Sequence, residues 1–178
     1  YPTFETRLAA GRAVMLLCGW AADADAVEAA AFWFTPVYER LFSKGVAKAY
    51  VAGAADLLAY IAKKLVVGRT LSLADIRRAV PPGKLARVAE LAASMDPARQ
   101  GKVKDTLNVA VADLATVAAS RPESAAATFD ALLPLDLADT AVLERLAKAH
   151  PSPSAAAGRL GSKSARLQLA TGKEGGAA

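Results

Sequence analysis

Apolar residues recur at intervals of three and four almost everywhere along this chain, and no convincing two-residue alternation interrupts them. That spacing puts the apolar side chains on one face of a helix. The clearest case is Val46, Tyr50, Ala54, Leu57, Leu58, Ile61 and Leu65, which predicts a helix over 45–67. Alanine makes up roughly a quarter of the residues, against a usual share nearer a tenth. Alanine loses no side-chain entropy in a helix and lets helices pack closely. The expected fold is therefore all-α. It is an irregular helical bundle or short helical array of about six to eight helices.

Local signals divide the chain. A first helix is expected over 3–20, with Phe4, Leu8, Val14, Leu17 and Cys18 among its apolar positions, and Asp23 or Asp25 is expected to cap a second. Ser72 and Asp75 have capping-box spacing, ahead of a short helix ended by Pro81-Pro82-Gly83. A helix from Lys84 carries Leu85, Val88, Leu91 and Met95 on one stripe. Asp96-Pro97 reads as an N-cap and first helical residue. Val103, Leu107, Ala110, Leu114 and Val117 then follow at helical spacing. Ser120 and Glu123 give a second S-x-x-E signal, and Asp136 is the expected cap of a helix with Val142, Leu143 and Leu146 inward. The expected domain is 1–150. From Pro151 to Ala178, small residues, Pro and Gly replace large apolar ones, so 151–178 is expected as a basic tail, flexible or held by a partner.

Charge is segregated. The net +5 divides into −3 over 1–39, +9 over 40–104, −4 over 105–150 and +3 over 151–178. Within the basic block the candidate patch is Lys63, Lys64, Arg77, Arg78, Lys84 and Arg87. It suits phosphate, an anionic membrane surface or an acidic protein, or it folds back on the chain's own acidic flanks. Two short helices around Pro81-Pro82-Gly83 have the outline of a helix-turn-helix, with Arg87 on the second. Any pair of helices joined by a Gly-containing turn shares that outline.

Ten of the eleven aromatic residues lie within the first sixty positions, and five fall in Ala31 to Phe42. On one continuous helix Val27, Ala30, Phe34, Val37, Tyr38, Leu41 and Phe42 share a face, while Phe32 lies opposite among Glu28, Thr35 and Glu39. Pro36 withholds an N–H from the carbonyl of Phe32, and Thr35-Pro36 also fits the start of a new helix at an angle to the old one. Phe32, Trp33 and Phe42 are the candidate partner-binding residues.

Catalytic and cofactor signatures are missing. His150, the one histidine, stands at a helix end before Pro151, where it would meet terminal carbonyls. Cys18, the one cysteine, sits among apolar residues. Gly161-Ser162-Lys163 lacks the rest of a phosphate loop, and no E-x-x-H pair occurs. No cofactor or metal is expected, and no enzyme. No uncharged run reaches the roughly 18 residues of a membrane span: Ala13–Ala22 stops at Asp23 and Ala29–Tyr38 at Glu39. Membrane-surface contact remains open to the basic block. A lone cysteine suits an intracellular setting, cytosol or organelle matrix. The start at Tyr1 rather than Met carries the expectation of a removed or omitted leading segment.

The leading expectation is a non-enzymatic interaction protein, an accessory or scaffold subunit of a multiprotein assembly whose partners are other subunits. The alternatives are a nucleic-acid-associated protein, ribosome-associated or helix-turn-helix-like, using 40–104, and a helical carrier of a small ligand or pigment.

Overall fold

The computed structural model describes residues 3–18, 20, 22–42, 45, 48–61, 63, 72–135, 137 and 140–174. Among them every regular element is helical. The order is α1 (Phe4–Cys18), α2 (Asp23–Leu41), α3 (Lys48–Ile61), α4 (Leu73–Ala79), α5 (Pro82–Ala93), α6 (Pro97–Ala118), α7 (Pro122–Leu132), α8 (Ala141–Ala149) and α9 (Pro153–Glu174). The all-α expectation holds.

The packing follows an overlapping series. α1 and α2 lie on α3, α3 on α6, α6 on α5, α5 on α7, α7 on α8 and α8 on α9, while α4 bridges α2 and α7. One continuous core results. Leu58 and Ile61 of α3 meet Leu85 and Val88 of α5, Leu107 and Leu114 of α6, Phe129 and Leu132 of α7, and Leu143 and Leu146 of α8 in a single buried cluster. The predicted stripe of α3 is correct over its described part, since Leu58 and Ile61 are buried and Tyr50, Ala54 and Leu57 half-buried. Val46 and Leu65 lie outside the described residues. Alanines fill the close approaches: Ala55, Ala110, Ala115, Ala118 and Ala125 are fully buried.

The local signals fare differently. Ser72 accepts from the Asp75 N–H at 3.2 Å while Asp75 accepts from the Ser72 N–H at 3.2 Å, completing the box at the start of α4. Asp96 caps α6 through the Ala98 N–H at 3.0 Å. Ser120 caps nothing ahead of it, because Pro122 takes the first position of α7; its Oγ donates back to the Val117 carbonyl at 2.6 Å. α5 likewise starts at Pro82, two residues before the expected Lys84. Ala22 occupies the cap position of α2, so Asp23 and Asp25 lie inside its first turn, where the Asp25 carboxylate suits the helix dipole. Asp136 lies outside the described residues. Between α2 and α3, Gly45 has φ of +72°, a left-handed value that suits glycine.

Three helices bear on those expectations. α2 runs without a break through Pro36, so Thr35-Pro36 starts no new helix. Pro36 is exposed, and Tyr38 and Leu41 beyond it are buried in the common core, which holds the last turns in place. On α1, the apolar Val14 and Leu17 are exposed. The helix rests on α3 and α2, with Gly11 over Leu57, and its last turns, Ala13 to Cys18, are apolar on every side, so packing one side leaves apolar residues out. Finally, α9 lies within 151–178, the segment expected as a tail, flexible or held by a partner. Ala156 is buried, Leu160 packs on the core, and α9 rests on α8.

Candidate partner-binding surface

The predicted basic patch is distributed over several helices. Lys63, just past α3, pairs with Asp113 of α6 at 3.0 Å. Lys64 lies outside the described residues. Arg77 and Arg78 are exposed in the last turn of α4. There the Asp75 carboxyl is held below its usual range, first by the Ser72 hydroxyl, then by the Ser72 N–H, with the Arg78 charge adding a smaller push.

Lys84 and Arg87, on α5, turn toward α2. The Lys84 ammonium donates to Thr35 Oγ1 at 3.1 Å and stands 5.0 Å from the centre of the Tyr38 ring. The Arg87 guanidinium lies 4.5 Å from the centre of the Phe42 ring, and that ring packs 5.0 Å from Tyr38. Two cations from α5 thus seat on two aromatic faces of α2. Phe42, expected at a partner surface, is half-buried in this seam. The rest of α5 belongs to the core through Leu85, Val88, Ala89 and Ala92. The second helix of the helix-turn-helix outline is therefore packed between α6 and α7, with its arginine against Phe42.

Phe32 is placed as its spacing predicts. It is 69% exposed on the outward face of α2. Asp25, Glu28, Thr35, Pro36 and Glu39 are exposed on the same face. The side chain of Trp33 lies outside the described residues. A second apolar surface, missed in the sequence, closes α1. Leu16 is 44%, Leu17 62% and Trp20 77% exposed. At about 100° per residue Leu16 and Leu17 fall on the side of the helix away from Gly11, and Trp20 follows in the turn just past the helix. A bond from the Trp20 N–H to the Leu17 carbonyl at 3.2 Å closes the turn that follows the helix. The signal for this patch is the near-uniform apolarity of Val14 to Leu17, which cannot all be buried against one neighbour.

The groups considered for chemistry have structural partners. His150 Nδ1 accepts the Ser152 N–H at 2.9 Å, at the entry to α9 rather than the exit of α8, and its ring meets Phe129 edge-on at 5.9 Å. Lys163, from the segment of the incomplete phosphate loop, donates to the Leu133 carbonyl at 2.8 Å and also to that of Leu135, where α7 ends. Arg159 pairs with Asp130 at 2.7 Å. Among the described residues no three His, Cys, Asp or Glu side chains gather as metal ligands do, and no helix is long and apolar enough to cross a membrane. A cavity of about 20 Å³ beside Ala89, Asn108, Leu137 and Val142 has room for a water rather than a pigment. An open groove of about 540 Å³ runs between α8 and α9, lined by Glu144, Lys148, Leu160 and Gly161 among others.

Comparison with protein-family models, curated proteins and solved structures finds no match to this chain.

Proposed function

We propose that this protein is a non-enzymatic interaction subunit, accessory or scaffold, that docks to other subunits through its N-terminal helix pair. The observation that carries this reading is the exposure of Leu16 and Leu17 in the last turn of α1 and of Trp20 in the turn just past it. Apolar residues exposed singly are ordinary on any protein surface, but a contiguous group containing tryptophan marks contact surfaces. The test is a native pull-down with mass spectrometry, with and without nuclease, comparing the natural chain with Leu17→Ser/Trp20→Ser. The variant should lose fixed partners while its circular dichroism and melting curve stay the same. Retention of every partner overturns the reading.

The nucleic-acid alternative rests on Arg77 and Arg78, exposed together at the end of α4. It expects binding that weakens steeply with salt and partners that vanish with nuclease.

A further inference from the structure

The groove of about 540 Å³ between α8 and α9 has an apolar floor, made by Ala147 of α8 with Ala157, Leu160 and Gly161 of α9. A β-carbon added at Gly161 would meet nothing within 4 Å, so this floor admits a close approach. Glu144 and Lys148 stand along the groove, both exposed and one helical turn apart on α8. Among the described residues neither forms an ion pair, with the other or with a third group. A pair at that spacing on an exposed helix is weak, so both charges are open to a facing surface. A carboxylate followed by an ammonium needs a partner with the reverse order. The same stretch of α8 run antiparallel supplies it: a two-fold axis near Leu146 sets Glu144 of each copy opposite Lys148 of the other.

We propose that two copies of this chain associate groove to groove through α8 and α9. α8 runs antiparallel to its counterpart, Glu144 of each copy meets Lys148 of the other, and the small residues of α9 let the helices close up. A surface of one charge sign fits badly, because it would set one of the two groups against its like. Over 153–164 the face is about 18 Å long, at 1.5 Å per residue, and two helices wide. That is at the low end for a specific interface, so the dimer is weak, with a dissociation constant of about 10–100 μM. The surface shares no residue with the Leu16–Leu17–Trp20 patch, and each can fail alone.

The test is sedimentation equilibrium of the full chain from about 10 μM to about 1 mM in about 150 mM salt, where screening beyond roughly 8 Å damps the repulsion between two chains of net +5. The weight-average mass should rise from 18.3 kDa toward twice that value. Glu144→Lys alone and Lys148→Glu alone each set like charges together twice across the two-fold, and each should weaken association by about tenfold or more. Glu144→Lys/Lys148→Glu in one chain restores opposite charges and keeps the net charge, and should bring association back to within about threefold of the natural chain. Gly161→Trp, whose β-carbon meets nothing in the single chain, should block the groove and leave a monomer with unchanged circular dichroism. A natural chain that stays at 18.3 kDa throughout overturns the proposal. So do single reversals that associate like the natural chain, or a double exchange no better than either of them. A dimer lost on Leu17→Ser/Trp20→Ser but untouched by Gly161→Trp belongs to α1 and overturns it too.

Discussion

Ser124 and Thr128 stand four residues apart on α7, both fully buried, and neither hydroxyl has a hydrogen-bond partner among the described residues. An unsatisfied buried hydroxyl costs roughly 1–3 kcal/mol. Replacing it with a methyl of the same shape removes that cost and keeps the packing. Thr128→Val should therefore raise stability by about 1 kcal/mol, or roughly 2–4 °C in Tm for a chain of this size, read by thermal circular dichroism. A loss of stability instead would mean that the hydroxyl holds a bound water. Nothing in the sequence marks these two residues as core, because Ser and Thr in a helix usually face solvent or bond back to a carbonyl. Ser72 and Asp96 were legible, since a cap is completed within three residues of itself. Thr128 depends on helices far away in sequence.

Pro36 carries the lesson at the scale of the element. Its ring and missing N–H argue for a break, yet α2 continues because Tyr38 and Leu41 are fixed in the core beyond it. Proline within a helix costs about 3 kcal/mol relative to alanine. Pro36→Ala should thus stabilise the protein by about 1–3 kcal/mol, visible as a higher urea midpoint with an unchanged slope. An unchanged or lower midpoint would show that the proline's geometry is used by α2. The outward position of Phe32 was legible because the wheel of α2 is sharply divided into apolar and polar sides. α1 has no such division, so neither its inward side nor the Leu16–Leu17–Trp20 patch could be chosen before α3 was placed. The helical state of α9 was hidden for a related reason. Its sequence is poor in large apolar residues, and Ala156, Leu160, Arg159 and Lys163 are among the described residues that attach it.

For the molecule as a whole, the charge blocks visible in the sequence become contacts between them. Arg12 pairs with Asp56, Lys63 with Asp113 and Arg159 with Asp130, each joining segments of opposite net charge. Exposed ion pairs of this kind contribute little each, about 0–1 kcal/mol. The attachment of α9 adds more specific contacts. Arg159 lies 5.3 Å from the centre of the Phe129 ring, and Lys163 binds the carbonyls at the end of α7. Leu160 covers apolar surface that would otherwise meet water. Burying one leucine stabilises by roughly 1.5–3 kcal/mol when complete, and this one is partly buried. Ending the chain at His150 should then cost about 2 kcal/mol, a fall of roughly 4–8 °C in Tm. Arg159→Ala/Lys163→Ala in the full chain should give part of that fall, because it removes the polar attachments and keeps Ala156 and Leu160. A truncated chain that melts with the full one would return 151–178 to the status of a tail. A fall matched by the double variant would assign the attachment to Arg159 and Lys163 rather than to the apolar contacts.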